Sequence, residues 1–144
     1  REAGHEINFT NSGLAAAVKD ESGNVVADPY PQTTVSGKKV LLAPVCPTCR
    51  IWSDIVEAIS DEINRTLPVD GIYFDEVAAH ASQLCFNENH DHPSGGGSYW
   101  VEGYRAIMKR ANMRKGDKYY FTETLGEPVQ RFADVLENEL RGKI

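Results

Sequence analysis

The chain has 144 residues, with 15 Lys and Arg against 21 Asp and Glu, and a formal net charge of −6 at pH 7. Its size is that of one domain, its 41% hydrophobic content excludes wholesale disorder, and three cysteines are too few for a disulfide-stapled miniprotein. An acidic chain without a basic run or a stretch of roughly 18 apolar residues is expected to have neither a nucleic-acid nor a membrane partner.

The first part of the chain is predicted to be an irregular, loop-rich segment over residues 1–37. Asn, Ser, Gly, Asp and Pro interrupt this segment closely, as is typical of turns. Two short strands are expected within it, at 14–18 and 24–27, joined by a turn over 20–23. No core-forming helix is expected there.

Beyond residue 37 the pattern predicts a first strand and a first helix. The apolar run at 39–44 is typical of a strand buried on both faces. The motif CPTC at 46–49 then leads into a helix, for which Thr48 is a candidate cap and which ends at 67–68. Its apolar residues recur at helical spacing. They are Trp52, Ile55, Val56, Ile59 and Ile63.

Two further strand–helix pairs are predicted downstream. A strand at 71–74 is followed by a long His- and Gly-rich loop and by a helix that begins near Ser98. A strand at 118–121 is followed by a last helix, inferred from an apolar spacing. That spacing involves Phe132, Val135, Leu136 and Leu140. The alternation predicts an α/β fold with a parallel sheet and right-handed crossovers.

Carboxylates stand directly after two of these three strands. Asp75 follows the second strand and Glu123 the third, with Glu127 close behind. Functional residues of parallel α/β folds lie at the carboxyl ends of strands. A glycoside hydrolase needs two carboxylates there, one to attack the sugar or stabilise its charge and one to donate a proton. The alternative is that these side chains cap the helices that follow.

Several motifs carry a resemblance to a known family. They are VDGIYFDEV at 69–77, LCF at 84–86, HDHP at 90–93, GGGSYW at 95–100 and GYR at 103–105. CP at 46–47 before Trp52, and TE at 122–123 followed by EP at 127–128, support them. Over roughly residues 38–135 the chain resembles a bacterial, largely uncharacterised family of glycoside-hydrolase-like TIM-barrel proteins, similar to α-galactosidase and amylase-type barrels.

The resemblance implies a role for each matching residue. Asp75 is implied as nucleophile or charge stabiliser and Glu123 as general acid/base, with Glu127 as the rival for the second role. The implied sugar subsites include His90, His92 and Trp100. To these we add Glu76 and Tyr99 as substrate-binding candidates, although core packing explains Tyr99 and Trp100 equally well. No cofactor and no metal are assigned.

The length limits what the resemblance implies about architecture. A full (β/α)₈ barrel takes about 250 residues, so residues 38–144 are expected to be central βα units of a partial barrel, and Cys49 departs from the family pattern. Alone, such units leave open sheet edges, to be covered by the rest of the barrel or by a second chain. The chain starts at Arg1 without a signal peptide, which indicates a processed protein or an excised piece. Its localisation is open, with export the favoured expectation.

Three other hypotheses remain. The motif CPTC before a helix is typical of a thioredoxin-like thiol–disulfide oxidoreductase, because a helix N-terminus activates the first thiol.

Soft-metal ligands are also available, although their spacing does not pair two regular half-sites. They are Cys46, Cys49, Cys85, His80, His90 and His92. Finally, a partial barrel could bind carbohydrate without catalysis.

Overall fold

A computed structural model describes residues 13–77, 79, 81–123 and 135–136 of the chain. These residues form a mixed α/β structure with two small sheets. The strands are β1 (Asp28–Thr33), β2 (Lys39–Leu42), β3 (Gly71–Phe74), β4 (Tyr119–Thr122) and β5 (Val135–Leu136), and the long helices are α1 (Arg50–Thr66) and α2 (Tyr99–Asn112). None of the described helices is long and apolar enough to cross a membrane.

Strands β1 and β2 form an antiparallel hairpin that stands apart from the other sheet. The turn between them places Gly37 at φ 79°, a conformation that glycine adopts without steric cost. Leu41 is 61% and Leu42 49% exposed. The strand expected at 39–44 is thus confirmed over 39–42, but its burial on both faces is wrong, because an apolar run alone does not reveal what covers it.

The segment before the hairpin differs from its predicted strands. Residues 13–16 are helical, so the strand expected at 14–18 is wrong over most of its length. Residues 16–18 are buried and run antiparallel to 44–46, with Cys46 N–H donating to Ala16 O at 2.8 Å.

The turn at 20–23 is confirmed, because Asp20 Oδ1 accepts the backbone N–H groups of Ser22 and Asn24, each at 2.9 Å. Val25 makes only an isolated bridge to Lys19, and the strand begins at β1 instead.

Helix α1 has the predicted position, but a different residue begins it. The N-cap is Cys49, which makes no side-chain capping bond, and Thr48 Oγ1 instead lies 3.1 Å from Cys46 Sγ. The expected cap at Thr48 is therefore wrong. The helix ends at Leu67, directly before Pro68, as predicted.

The second sheet confirms the predicted parallel pairing for the strands at 71–74 and 119–122, but the first predicted strand is not part of it, because β2 pairs antiparallel with β1. Strand β3 pairs with β4 in parallel, with Gly71 opposite Tyr119 and Phe74 opposite Thr122. Strand β5 pairs with β4 in parallel as well, and places Leu136 beside Thr122. The helix predicted from Val135 and Leu136 is therefore wrong at these two residues, and the rest of that prediction lies outside the described residues.

Helix α2 packs unusually closely against the turn before α1. A Cβ atom on Gly103 would lie 2.6 Å from the carbonyl carbon of Pro47 and 2.8 Å from Thr48 N, distances that no side chain tolerates. The absence of a side chain at Gly103 thus sets how near the helix comes to the 46–48 turn. Arg110 on α2 also binds Asp54 Oδ1 of α1 at 2.6 Å.

Two clusters of buried side chains form the core. The first joins Ala16 and Val18 to the cysteines and to Tyr99 and Trp100 at the start of α2. The second lies between the parallel sheet and the helices. It contains Phe74, Met108, Ala111 and Tyr120. Tyr120 OH accepts Asn64 Nδ2 at 2.8 Å, so a polar contact links α1 to β4 at the margin of this cluster.

Candidate functional site

The carboxyl ends of β3 and β4 bring two predicted catalytic residues to one edge of the sheet. Phe74 and Thr122 are paired in parallel register, so the next residues, Asp75 and Glu123, leave neighbouring strands at the same edge. Adjacent strands lie about 4.8 Å apart. Asp75 is exposed and Glu123 is partly buried. We call this pair the carboxylate edge.

A hydrogen bond from a backbone N–H to a side-chain carboxylate connects the two strand ends of the carboxylate edge. Glu76 N–H donates to Glu123 Oε2 at 2.9 Å, across the strand ends. Glu76 has φ 60°, in the left-handed region that residues other than glycine, asparagine and aspartate seldom occupy. This conformation turns the chain sharply after Asp75 and orients the amide of Glu76 toward Glu123. Glu127, the rival second carboxylate, lies outside the described residues.

A shallow groove of about 430 Å³ lies elsewhere, between the starts of α1 and α2, and its lining includes Pro47, Glu102 and Arg110. Asp75 and Glu123 do not line it. The carboxylate edge therefore lies outside this groove.

A second group of reactive side chains lies below the surface. Its members come from the turn before α1 and from the long loop before α2. They are Cys46, Cys85, His90 and His92. One potential ligand atom from each lies within 4.8 Å of those of the other three. Both cysteines have no exposed surface, and His90 is 7% exposed. We call these four residues the thiol–imidazole cluster.

The loop that carries three of these residues is closed at its base. Cys85 N–H donates to Gly95 O at 3.1 Å, and Gly95 N–H donates to Cys85 O at 2.8 Å. Gly95 adopts φ 91° and faces the ring of Phe86, so a side chain there would be strained and crowded. The closed loop therefore holds His90 and His92 over Cys85.

Backbone carbonyls orient both imidazole rings. His90 Nε2 lies 2.9 Å from Ala15 O, and His90 Nδ1 lies 3.4 Å from Cys85 Sγ. His92 Nδ1 lies 2.7 Å from Pro93 O, while its Nε2 is buried without a hydrogen-bond partner in the part of the chain that the structure describes. Burial lowers the pKa of His90, which favours its neutral imidazole.

The CPTC motif does not have the geometry of an activated dithiol. Cys46 and Cys49 are both buried, and only Cys49 stands at the start of α1. Burial raises the pKa of Cys46 to about 11. An activated thiol needs a lowered pKa and solvent access. These observations argue against the thioredoxin-like hypothesis.

The predicted sugar-binding aromatic residues pack in the core. Tyr99 is 6% and Trp100 4% exposed. Tyr99 stacks on His92 with ring centroids 3.9 Å apart, and its hydroxyl donates to Gln83 O at 2.5 Å. Trp100 Nε1 is buried without a partner among the described residues. Both residues belong to the same buried cluster as Cys46 and Cys85.

Sequence reasoning named all four members of the cluster, within a larger set of six candidate ligands. The spacing C-x₄-H-x-H within 85–92 is visible in the sequence. Cys46 lies far upstream and comes beside the loop through tertiary contacts, since Cys46 N–H donates to Ala16 O and Phe86 N–H donates to Lys19 O. His80, also a candidate ligand, lies outside the described residues, and Cys49 is not a member of the cluster.

Comparison with known proteins finds one matching family and two similar sequences. The sequence pattern of a family described as "Domain of unknown function (DUF6259)" matches residues 5–138. A "Putative glycoside hydrolase" of Bacteroides thetaiotaomicron is 33% identical over 103 residues, covering 70% of this chain and 15% of that protein. A "Putative glycoside hydrolase 22789" of Monosiga brevicollis is 34% identical over 83 residues, covering 57% of this chain and 7% of that protein.

The fold is similar to part of a solved glycosidase structure. An α-galactosidase of Thermus thermophilus, in complex with stachyose, aligns with a TM-score of 0.54 and 18% sequence identity. The alignment covers 89% of this chain and 24% of the enzyme. The chain thus spans about a quarter of that enzyme and a still smaller share of both sequence relatives.

Proposed function

The chain belongs to the family described as "Domain of unknown function (DUF6259)", and we propose that it forms part of the catalytic domain of a glycoside hydrolase. Both sequence relatives carry glycoside hydrolase names, and the structural neighbour is an α-galactosidase. This supports a glycosidase-related role and a carbohydrate substrate. We further propose that residues 38–144 contribute central βα units to a (β/α)₈ barrel, which the parallel β3–β4–β5 sheet supports.

The observation that carries the proposal is the carboxylate edge. Two carboxylates leave neighbouring parallel strands at their carboxyl ends, where barrel enzymes hold their catalytic groups. A helix-capping role would require Asp75 or Glu123 to accept the first backbone N–H groups of a following helix. Among the described residues, Glu123 Oε2 accepts the N–H of Glu76, which belongs to the neighbouring strand end.

In the proposed mechanism the two carboxylates have different roles. Asp75, which is exposed, attacks the anomeric carbon or stabilises the positive charge that develops on the sugar. Glu123 donates a proton to the leaving oxygen and later removes one from water. The amide of Glu76 fixes the Glu123 side chain through one carboxylate oxygen, so that the other is oriented toward the substrate. Glu127 is the alternative for the second role.

Substrate binding is proposed for five further residues with different placements. Glu76 is exposed beside the catalytic pair and is well placed to contact a sugar hydroxyl. The other four are His90, His92, Tyr99 and Trp100. Their burial supports an indirect contribution, in which they support the loop between β3 and α2. The rest of the barrel, or a second chain, would then supply the remaining subsites and cover the open edges of the sheet.

The test is hydrolysis of a panel of aryl glycosides by the full-length protein and by two isosteric variants, Asp75→Asn and Glu123→Gln. We expect a loss of about 10²–10⁴-fold in kcat for each, since each removes a group that acts in the transition state. Asp70→Asn is the matched control, because Asp70 is an exposed carboxylate just before β3, at the opposite edge of the same sheet.

The outcomes separate the hypotheses. Loss of activity in both edge variants but not in Asp70→Asn supports the catalytic pair. Full activity in Glu123→Gln with loss in Glu127→Gln would move the acid/base role to Glu127. A parent protein that binds oligosaccharides but hydrolyses none of the panel would favour the non-catalytic carbohydrate-binding alternative.

A further inference from the structure

The thiol–imidazole cluster has a donor set that the glycosidase chemistry does not use. Two thiols and two imidazoles converge in a buried space, and carboxylates are absent from the cluster. Cys₂His₂ is a typical donor set of structural zinc sites. We propose that Cys46, Cys85, His90 and His92 bind one zinc ion in a closed, four-coordinate structural site.

The first argument is the orientation of the imidazole nitrogens. His90 Nε2 lies 2.9 Å from Ala15 O, which can only accept, and 3.1 Å from Asn87 Nδ2, which can only donate. The zinc site requires the tautomer in which Nε2 carries the proton and donates along the shorter contact, to Ala15 O. A proton on Nδ1 instead would set the lone pair of Nε2 against the carbonyl oxygen. With the proton on Nε2, the lone pair of His90 Nδ1 faces Cys85 Sγ at 3.4 Å. The edge of a zinc tetrahedron is of similar length, roughly 3.5 Å for Zn–S of about 2.3 Å and Zn–N of about 2.0–2.1 Å.

His92 has the complementary arrangement. Its Nδ1 donates to Pro93 O at 2.7 Å, which leaves a lone pair on Nε2. That atom is buried and has no hydrogen-bond partner among the described residues. An unpartnered buried acceptor costs free energy that a metal–nitrogen bond removes. Ligating histidines in metalloproteins almost always donate their other ring N–H to a carbonyl or carboxylate, and here the carbonyl oxygens of Ala15 and Pro93 lie within hydrogen-bond distance of those nitrogens.

Charge balance also favours a divalent ion. Without a metal the two buried thiols keep their protons, because low-dielectric surroundings disfavour uncompensated charge. Zinc binding releases both protons as the thiolates form, and the divalent cation then leaves a site without net charge. Four protein ligands complete the coordination that structural zinc sites have, and Tyr99 stacks on His92 beside them. The ion would thus have a structural role and link the turn before α1 to the 85–95 loop.

The test is the zinc content and cobalt spectrum of the full-length protein. After zinc loading and dialysis, elemental analysis should find about one zinc per chain, and Co²⁺ substitution should give the visible absorption of a tetrahedral thiolate site. Cys85→Ser and His92→Ala should weaken zinc binding about tenfold or more. Cys49→Ser and Asp91→Asn should leave it unchanged, because Cys49 lies outside the cluster and Asp91 is exposed.

Other outcomes would overturn the proposal. Zinc far below one equivalent in the loaded parent protein does so directly, without requiring any variant to fold. A Cys46–Cys85 disulfide, detected by mass spectrometry after alkylation, would assign the pair to a cross-link instead. Retention of metal in Cys85→Ser, or equal loss in Cys49→Ser, would place the ion elsewhere. These readouts do not involve hydrolysis, so they are independent of the proposed function.

Discussion

The carboxylate edge and the thiol–imidazole cluster lie in one small structure but differ in their surroundings. Asp75 is exposed at the end of a strand, and the backbone N–H of Glu76 orients Glu123. In the cluster, by contrast, protein groups cover most of the side chains, and His92 Nε2 is buried without a hydrogen-bond partner among the described residues. Exposed groups with free oxygen atoms can meet a substrate, whereas buried groups with fixed rings can hold only a ligand as small as an ion. We therefore expect activity to depend on the edge and stability on the cluster.

The largest expected effect is on activity, at the edge. Asp75→Asn and Glu123→Gln should lower kcat by about 10²–10⁴-fold. Thermal unfolding should hardly change, because surface substitutions usually alter the free energy of unfolding by less than about 0.5 kcal/mol. Glycoside hydrolysis and calorimetry on the same preparations measure both quantities. A large loss of stability in either variant would contradict the division of roles.

The next effect is on stability, at the cluster. Removing zinc with a chelator should lower the free energy of unfolding by about 4 kcal/mol relative to protein in zinc at 1,000 times its Kd. Hydrolysis measured well below the melting temperature should remain. Melting curves with and without chelator, each paired with an activity assay, make the comparison. Loss of activity in folded, metal-free protein would mean that the ion takes part in the reaction.

A smaller effect should follow a change in packing that supports the cluster. Gly103→Ala places a methyl group 2.6 Å from the carbonyl carbon of Pro47 and must push α2 away from the 46–48 turn. Overpacking of this kind costs about 1–3 kcal/mol. Denaturant unfolding measures the loss. Ala106→Gly, on an exposed part of the same helix, is the control for helix propensity. Equal effects of both substitutions would show that the close approach is unimportant.

The smallest effect concerns the hydrogen bond between α1 and β4. Asn64→Ala removes donors to Tyr120 OH at 2.8 Å and to Arg114 O at 3.2 Å. A net loss of about 1 kcal/mol is expected. Asp61→Ala, an exposed site on the same helix, should cost less. Because this contact is remote from both sites, hydrolysis and zinc content should stay at parent levels.

The sequence predicted the elements that have strong local signals. The run Gly-Ile-Tyr-Phe before Asp75 and Glu76 predicted β3 at its observed residues. The apolar spacing after Ser98 predicted α2. Residues 135–136 were harder, because two apolar residues at helical spacing fit a strand equally well. The exposure of β2 was not predictable either, since an apolar run shows that a strand is apolar but not what it packs against.

For the two sites, too, local sequence signals were predictive and tertiary contacts were not. Parallel register alone was enough to predict that Asp75 and Glu123 share an edge. The cluster required knowledge of tertiary structure, because the segment 15–19 hydrogen-bonds both to Cys46 and to the 85–95 loop and so brings them together. Which imidazole nitrogen faces inward was also beyond sequence reasoning. It depends on the carbonyl groups of Ala15 and Pro93, which no side-chain pattern reveals.

The left-handed conformation of Glu76 has a consequence for how this position can vary among relatives. Glu76 contacts Glu123 through its backbone N–H, a group that every residue except proline possesses. This contact therefore does not limit which side chain stands at position 76, whereas the backbone angle φ of 60° does. Glycine, asparagine and aspartate fit that conformation best, and β-branched residues fit it worst. A substitution of Glu76 therefore changes the side chain that is proposed to face the substrate, while the backbone hydrogen bond that orients Glu123 is kept.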